Sequence, residues 1–587
     1  MTRTVCCALW AALVLTACPD NPPGNPNPGG DGGPPLPFIS DPLRADAGCD
    51  WAQWGQNWAH TGVGCVPAQG FGTALATVTF DPFVPQELAE ADGLFGRADL
   101  FVHYASPLVV GDDLYMAVKS GAYVSCSPPG SGTPPACGFD AWNQQVWAVK
   151  HLAWISGSLT PQQSFGSSWK PPPWQVVGGW EPVFQPAVFD QGVWVPAAQG
   201  TVIRLDRQLQ NPQAVNPFTD TNVNRYVTGP LVVDVDGTLL YNVVELDALM
   251  PETGDGRGYL VRVPPTGPPT KVLYQSIVSG APAATDQCPY SYAAGNIPGP
   301  YPAPGPVPTG PCGSQRPGFN SGPAIGPGGV IFVVSRAHYV SNDSSLVALN
   351  PDLSPRWTFR MRQLLSDGCG VLVSCRQGAP TGVDPSTGLK PSVRVSDQAS
   401  SVPVALPDGA VLYGGFTAYN GSRGHLVKVS PDGQLMGTYD FGWDVTPAVW
   451  VHGGTYSIVT KDNHYPTSSG SEGPYNITQL SRDLTPEWKY TNTETRSCIT
   501  EADGGLTCVS DHPDGFEWCV NAPAVGPDGT VYANSEDGRV YSIRQGGTLV
   551  EQRFLLQSLG AAYTPIAIDS KGRVYSMNGG VMTVVGQ

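Results

Sequence analysis

Short apolar runs recur along this chain, each closed by a polar turn and answered by a second apolar-aromatic run. Eight of the runs open on a proline: Pro107, Pro186, Pro230, Pro323, Pro403, Pro447, Pro523 and Pro565. Pro523-Ala524-Val525 leads through Asp528-Gly529 to Thr530-Val531-Tyr532, and Pro565-Ile566-Ala567 leads through Lys571-Gly572 to Arg573-Val574-Tyr575. A third run follows in each unit, as in Val202-Ile203-Arg204-Leu205, Leu346-Val347-Ala348-Leu349 and Leu426-Val427-Lys428-Val429. Alternating apolar positions rich in β-branched and aromatic residues, bounded by Gly, Asp and Pro, predict short antiparallel strands. Asp408-Gly409 and Asp528-Gly529 are hairpin turns in this reading, because glycine reaches positive φ without a Cβ clash. No window has a helical period long enough to predict a helix.

A unit that recurs this way cannot bury its own sheet face and must stack on copies of itself. Successive prolines stand 79, 44, 93, 80, 44, 76 and 42 residues apart. The short spacings match one four-stranded propeller blade of roughly 40–50 residues, and the long ones one blade plus about 30 to 50 more. The predicted fold is therefore all-β: an eight-bladed β-propeller of four-stranded antiparallel sheets, with seven blades as the alternative if one motif belongs to a loop. The last unit stops at Val584-Val585-Gly586-Gln587, with room for about three strands. Ala76-Thr77-Val78-Thr79-Phe80 would supply the missing edge strand and close the ring, which removes an exposed sheet edge.

Each long interval carries its own cysteines: Cys126 and Cys137, Cys288 and Cys312, Cys369 and Cys375, and Cys498, Cys508 and Cys519. Neither 44-residue interval has any. A local crosslink reduces the entropy that a long loop loses on ordering, so the insertions read as disulfide-pinned loops on a regular scaffold. Local pairing would join Cys49 to Cys65, Cys126 to Cys137, Cys288 to Cys312 and Cys369 to Cys375. One further bond would form among Cys498, Cys508 and Cys519, leaving one odd thiol. Connectivity itself is not written in the sequence.

The first residues give an address. Arg3, a short apolar run and Leu15-Thr16-Ala17-Cys18 resemble the signal and lipobox of bacterial lipoproteins. The resemblance implies cleavage after residue 17 and diacylation of Cys18, and so a membrane anchor. Residues 18–48 are rich in Pro and Gly and form a tether, reaching roughly 90 Å at ~3.1 Å per residue. Residues 49–587 would be the propeller. Such a chain is expected in the bacterial cell envelope, facing the periplasm or the cell surface. The net charge of −17 disfavours nucleic acid as a partner.

Trp51-Ala52-Gln53-Trp54-Gly55-Gln56-Asn57-Trp58-Ala59-His60-Thr61-Gly62 resembles the lead-in of bacterial propellers built from pyrroloquinoline-quinone-like repeats. The segments 349–357 and 480–488 resemble that superfamily's tryptophan-docking repeat, which makes Trp357 and Trp488 the expected inter-blade wedges. Gly437 stands at the same spacing after Val429, so the motif is not carried over to that blade. The superfamily includes quinoprotein dehydrogenases, which use the quinone and calcium, and noncatalytic envelope lipoproteins that bind proteins. Many of the former stack the cofactor on a disulfide between adjacent cysteines. The only adjacent pair here, Cys6-Cys7, lies in the signal, and the chain has no Cys-x-x-Cys-His.

Candidate chemistry is sparse. Asp234-Val235-Asp236-Gly237 stands where other units have a turn, and it lacks the remaining acidic ligands of a calcium loop. Asp255 reads as an exposed loop residue. His60, His103, His338, His452, His464 and His512 are scattered. The distinctive non-repeat feature is the aromatic stretch with Trp142, Trp154, Trp169, Trp174 and Trp180, expected either to pack on the propeller or to offer an interaction surface. Together these readings predict a lipid-anchored, noncatalytic scaffold for an envelope protein or polysaccharide, with no cofactor, metal or catalytic residue assigned. The alternative is a diverged quinoprotein dehydrogenase, with quinone and calcium, or another enzyme with a site in the central channel.

Overall fold

A computed structural model describes residues 48–587 except 96–99, 125–141, 252, 290–308, 367, 371–374, 376, 385–387, 418–423, 443–444, 464–473 and 560–563. The signal, Cys18 and nearly all of the tether lie outside the described residues, as do Cys126 and Cys137.

Eight small antiparallel sheets follow one another along the chain. Blades 1 to 7 span residues 108–166, 187–215, 225–273, 315–360, 393–440, 448–491 and 524–554. Blade 8 takes three strands from 564–586, and its outermost strand is Thr73–Thr79. That strand runs antiparallel to Val581–Gly586, from Thr73 opposite Gly586 to Thr79 opposite Val581, so the two ends of the chain close the ring. The eight-blade reading holds, and the closing strand begins three residues earlier than the apolar run that predicted it.

All eight prolines lie at or within the innermost strand of a blade, as at Leu108–Val110, Arg225–Val233 and Thr564–Ile568. In blades 1 to 7 the innermost strand has a sheet neighbour on one side only, so a missing N–H on the axial side costs no ladder bond; in blade 8 a short parallel pairing of Val520 and Ala522 with Thr564 and Pro565 adds a second neighbour. Core forms between blades as well as within them. Val195 and Val202 of blade 2 share one apolar cluster with Tyr241 and Val243 of blade 3.

Antiparallel alternation separates the connections onto two faces. Turns 111–112, 190–191 and 453–454, which follow innermost strands, leave one face trimmed. Loops between the second and third strands, and those between blades, emerge on the opposite face. The described parts of the long insertions are there, including two ribbons, Gln287–Pro289 with Thr309–Pro311 and Arg496–Thr500 with Leu506–Ser510.

Among the described residues two α-helices depart from the purely strand-like expectation: Val84–Phe95 and the single turn Tyr274–Ile277. The first escapes periodicity because its sequence, VPQELAEADGLF, has no clean apolar stripe. Pro85 in its first turn and Glu87 near its N-terminus suit a helix start.

Candidate functional site

The lead-in motif has an architectural role that its sequence did not disclose. It circles the axis and touches the blades in order. Trp51 exchanges two backbone hydrogen bonds with Val109 of blade 1, both 2.8 Å, and Val188 N–H of blade 2 donates to Ala52 O at 2.8 Å. Gln53 pairs with Val233 of blade 3, donating through Nε2 to its carbonyl at 2.9 Å and accepting its N–H at 2.8 Å. Trp58 O accepts from Ile325 of blade 4 at 2.8 Å, and Ala59 O from Ala405 of blade 5 at 3.0 Å. Thr61 O accepts from Val449 of blade 6 at 2.8 Å, and Gly62 O from Val525 of blade 7 at 2.9 Å. Gln69 N–H completes the circuit by donating to Gly572 O of blade 8 at 2.7 Å.

Local chemistry shapes this hub. Asn57 Oδ1 accepts from the N–H groups of Ala59 and Thr61 at 3.0 and 3.2 Å, an Asx-type turn. Gly55 has φ +59, and a Cβ there would lie 2.9 Å from His60 Cα, so the approach demands glycine. Cys49 and Cys65 are joined across the segment. The chain enters on the trimmed face, where Asp50 Oδ1 accepts from Gly111 N–H at 3.0 Å.

Inside the hub the axis is filled. Trp54 is 1% exposed, clusters with Ala105, Val183, Val402 and Ala522, and donates from Nε1 to Thr446 Oγ1 at 3.4 Å. Toward the long-loop face lies a buried polar layer: Asn320 bonds the carbonyls of Asp397 and Ala399, Ser321 bonds Ser401 O, and Asn521 bonds Ser400 Oγ. Among the described residues, the axis at the level of Trp54 is occupied by the protein's own side chains.

His60 is buried, with Nδ1 2.9 Å from Pro403 O and Nε2 without a hydrogen bond. Burial lowers its pKa to about 4, against a smaller upward pull from the Pro403 carbonyl. His103 lies between Glu181 O and Gln398 O, and His338 Nδ1 accepts from Arg316 Nε at 2.8 Å. His452 stacks on Trp450, and His512 pairs with Asp511. Asp234 to Gly237 form a turn, Gly237 N–H reaching Asp234 O at 2.9 Å. Asp255 is tied to Ser314, accepting from its N–H at 2.8 Å and its hydroxyl at 2.5 Å. Among the described residues no group of three or more His, Cys, Asp or Glu side chains is placed to hold a metal ion.

Two buried ionic clusters brace the long-loop face. Lys119 Nζ lies 2.6 Å from Asp81, 2.7 Å from Glu87 and 2.9 Å from Glu181. Burial pushes the carboxyls of Glu87 and Glu181 up, Lys119 pulling the other way. Burial also opposes the charge on Lys119, but the three carboxyls together raise its pKa. Three carboxyls facing one ammonium thus favour retention of a proton, and Glu87 Oε2 makes no hydrogen bond. In the second cluster Arg316 forks onto Asp397 with two 2.7 Å bonds and Arg336 adds one of 2.8 Å. Despite burial, these arginines hold Asp397 down at about 2. Neither cluster has a sequence signal, because its members are far apart in the chain.

Cys288 bonds Cys312, Cys369 bonds Cys375 and Cys498 bonds Cys508, while Cys519 lies buried outside these three disulfides, its Sγ 3.1 Å from Glu536 Oε1. Trp357 leans on the next blade, donating to Pro431 O at 2.9 Å; a Cβ on Gly433 would lie 2.9 Å from its ring. Trp488 lies against Gly547 and Gln545 of blade 7. Gly437 takes the same register in blade 5, opposite Lys428, whose Nζ reaches Arg482 O at 2.6 Å and makes the inter-blade link instead.

The aromatic stretch does not form an exposed surface. Trp142, Trp169 and Trp180 are buried, and Trp154 and Trp174 are half-buried. Trp169 donates to Val227 O of blade 3 at 2.9 Å, and Trp154 donates to Tyr575 of blade 8 at 2.8 Å. These two indoles combine apolar cover with an N–H partner inside the protein, which replaces the bond to water. Exposed apolar side chains of the long-loop face lie elsewhere, among them Leu249 (92%), Met250, Tyr339, Ile499 and Val509.

Fold and site define the class as an eight-bladed β-propeller whose axis is closed by its own leading segment. No family model and no curated protein matches the chain. Similar solved structures include a europium-containing methanol dehydrogenase, 12% identical, TM-score 0.47, covering 92% of this chain and 91% of that one. Another is BamB from Moraxella catarrhalis, 11% identical, TM-score 0.36, covering 83% and 96%. A third is the quinohemoprotein alcohol dehydrogenase from Comamonas testosteroni, 12% identical, TM-score 0.46, covering 93% and 82%. The likeness is one of fold.

Proposed function

We propose that this protein is a lipid-anchored propeller of the bacterial cell envelope that acts as a noncatalytic binding or assembly scaffold. The observation that carries the reading is the filled axis: Trp54 and the hub occupy the position where a propeller would otherwise offer a pocket. Disulfide-braced insertions suit an oxidising compartment, and the lipobox-like Leu15-Thr16-Ala17-Cys18 supplies the anchor. In this reading the tether joins the trimmed face and a protein partner engages the long-loop face through Leu249, Met250, Tyr339, Ile499 and Val509. Exposed apolar side chains on a loop-bearing face fit protein recognition.

A photocrosslinking residue at Leu249 or Ile499, in native membranes, should capture the same partner. The equivalent substitution at Val235, on the trimmed face, should capture none. Capture from Val235 alone, or release of the protein from membranes with Cys18 intact, would reject the arrangement.

A further inference from the structure

One cavity combines unused positive charge with a braced wall. Its volume is about 460 Å3, and Gly280, Pro282, Arg360, Arg362 and Gln363 line it. Arg360 ends the outermost strand of blade 4, while Gly280 and Pro282 come from the insertion that follows the helical turn Tyr274–Ile277. Asp343, with a side chain only 2% exposed, holds both guanidiniums: Oδ1 accepts from Arg360 Nη1 at 2.8 Å and Oδ2 from Arg362 Nη1 at 3.3 Å. Each arginine spends one nitrogen on this carboxylate. The Nε and Nη2 groups of both have no hydrogen-bond partner among the described residues. The two arginine side chains are 29% and 30% exposed, so these donors remain within reach of solvent.

The surroundings are pre-organised. Ser279 N–H donates to Thr358 Oγ1 at 2.9 Å, Gln275 Nε2 to Pro282 O at 2.8 Å, and Gln363 N–H to Ser392 Oγ at 3.1 Å. The disulfide between Cys288 and Cys312 packs behind the acid, with Cys288 Sγ 3.4 Å from Asp343 Oδ2. With two guanidiniums and one carboxylate the site is net positive, in a chain whose net charge is −17. Guanidinium forks match sulfate, phosphate and carboxylate oxygens, and a fixed fork loses little freedom on binding. Asp343 is too buried to compete for a ligand and serves to aim the arginines.

We propose that this cavity binds a compact oxyanion, a sulfate, phosphate or carboxylate group on a small ligand or at the end of a longer one. The site does not rest on the assembly reading, since none of the residues that line it belongs to the proposed docking set. The test is isothermal titration of the intact exported protein at low ionic strength with inorganic sulfate, inorganic phosphate and glucuronate in separate arms. Saturable one-to-one binding is expected in at least one arm, and the arms tell tetrahedral from planar anions. Arg362→Gln and Gln363→Glu should each weaken it by about tenfold or more, while Arg544→Gln, an exposed arginine on blade 7, leaves it unchanged. Gln363→Glu keeps the side-chain shape and the Asp343 pair, so its anion-free melting temperature should match the parent. No saturable binding in any arm, or parental affinity in both cavity variants, overturns the assignment.

Discussion

The side-chain amide of Gln53 pairs with the backbone of Val233 as an additional strand would, giving one hydrogen bond of 2.9 Å and receiving one of 2.8 Å. Both partners are buried. Gln53→Leu strands a backbone N–H and a C=O without water, and each orphan costs about 1–3 kcal/mol. Urea unfolding should show a loss of roughly 2–6 kcal/mol; a loss below about 0.5 kcal/mol would mean the hub is dispensable to blade 3.

Trp54 is the plug of the axis. Trp54→Ala removes a fully buried indole from a packed site, for which roughly 3–5 kcal/mol is expected. An open or adaptable channel would tolerate the change with a loss under about 1 kcal/mol, so the calorimetric melting shift distinguishes a sealed axis from a vacant one.

His60 gives the acid limb of stability a definite sign. Its pKa is about 4 in the folded protein against 6.5 for the free group, so its contribution is present above pH 6.5 and lost as pH falls toward 4. The difference between parent and His60→Asn should therefore shrink by about 3 kcal/mol across that window. A difference independent of pH would show that the buried imidazole does not stay neutral.

Glu87 works in the opposite direction. Burial, opposed by Lys119, raises its folded pKa well above 4.5, so the protonated form stabilises the fold and that contribution is lost as pH rises above 4.5. Glu87→Gln mimics the protonated carboxyl. Its melting temperature should gain on the parent as pH increases from 4.5 toward neutrality, and a gap that narrows instead would reject the proton-holding role.

The Trp357 wedge is testable from the glycine it covers. Gly433 and Gly453 both have positive φ, +84 and +54, but only at Gly433 would a Cβ strike the indole. Gly453→Ala should cost roughly 1 kcal/mol from backbone strain. Gly433→Ala should add about 1–3 kcal/mol of overpacking to a similar strain. Equal costs would mean that the ring yields and does not fix the blade interface.

What the amino-acid sequence by itself determined was the repeat. Strand alternation, Asp-Gly turns and a proline at each innermost strand are local signals, written within a few residues of one another. From them came the eight blades, the closing strand and the insertions that carry the cysteines. The resemblance of segments 349–357 and 480–488 to a tryptophan-docking repeat also marked Trp357 and Trp488. Only the tertiary structure decided what the leading motif does, since its partners Val109, Val188, Val233, Ile325, Ala405, Val449, Val525 and Gly572 are spread over nearly the whole chain. It also turned the tryptophans at 142, 169 and 180 inward, because composition records an indole's size but not which neighbouring blade will cover it. The same limit hid the groups gathered around Lys119, Asp397 and Asp343: a buried charge is defined by what reaches it through space, and closing the ring brings those groups together.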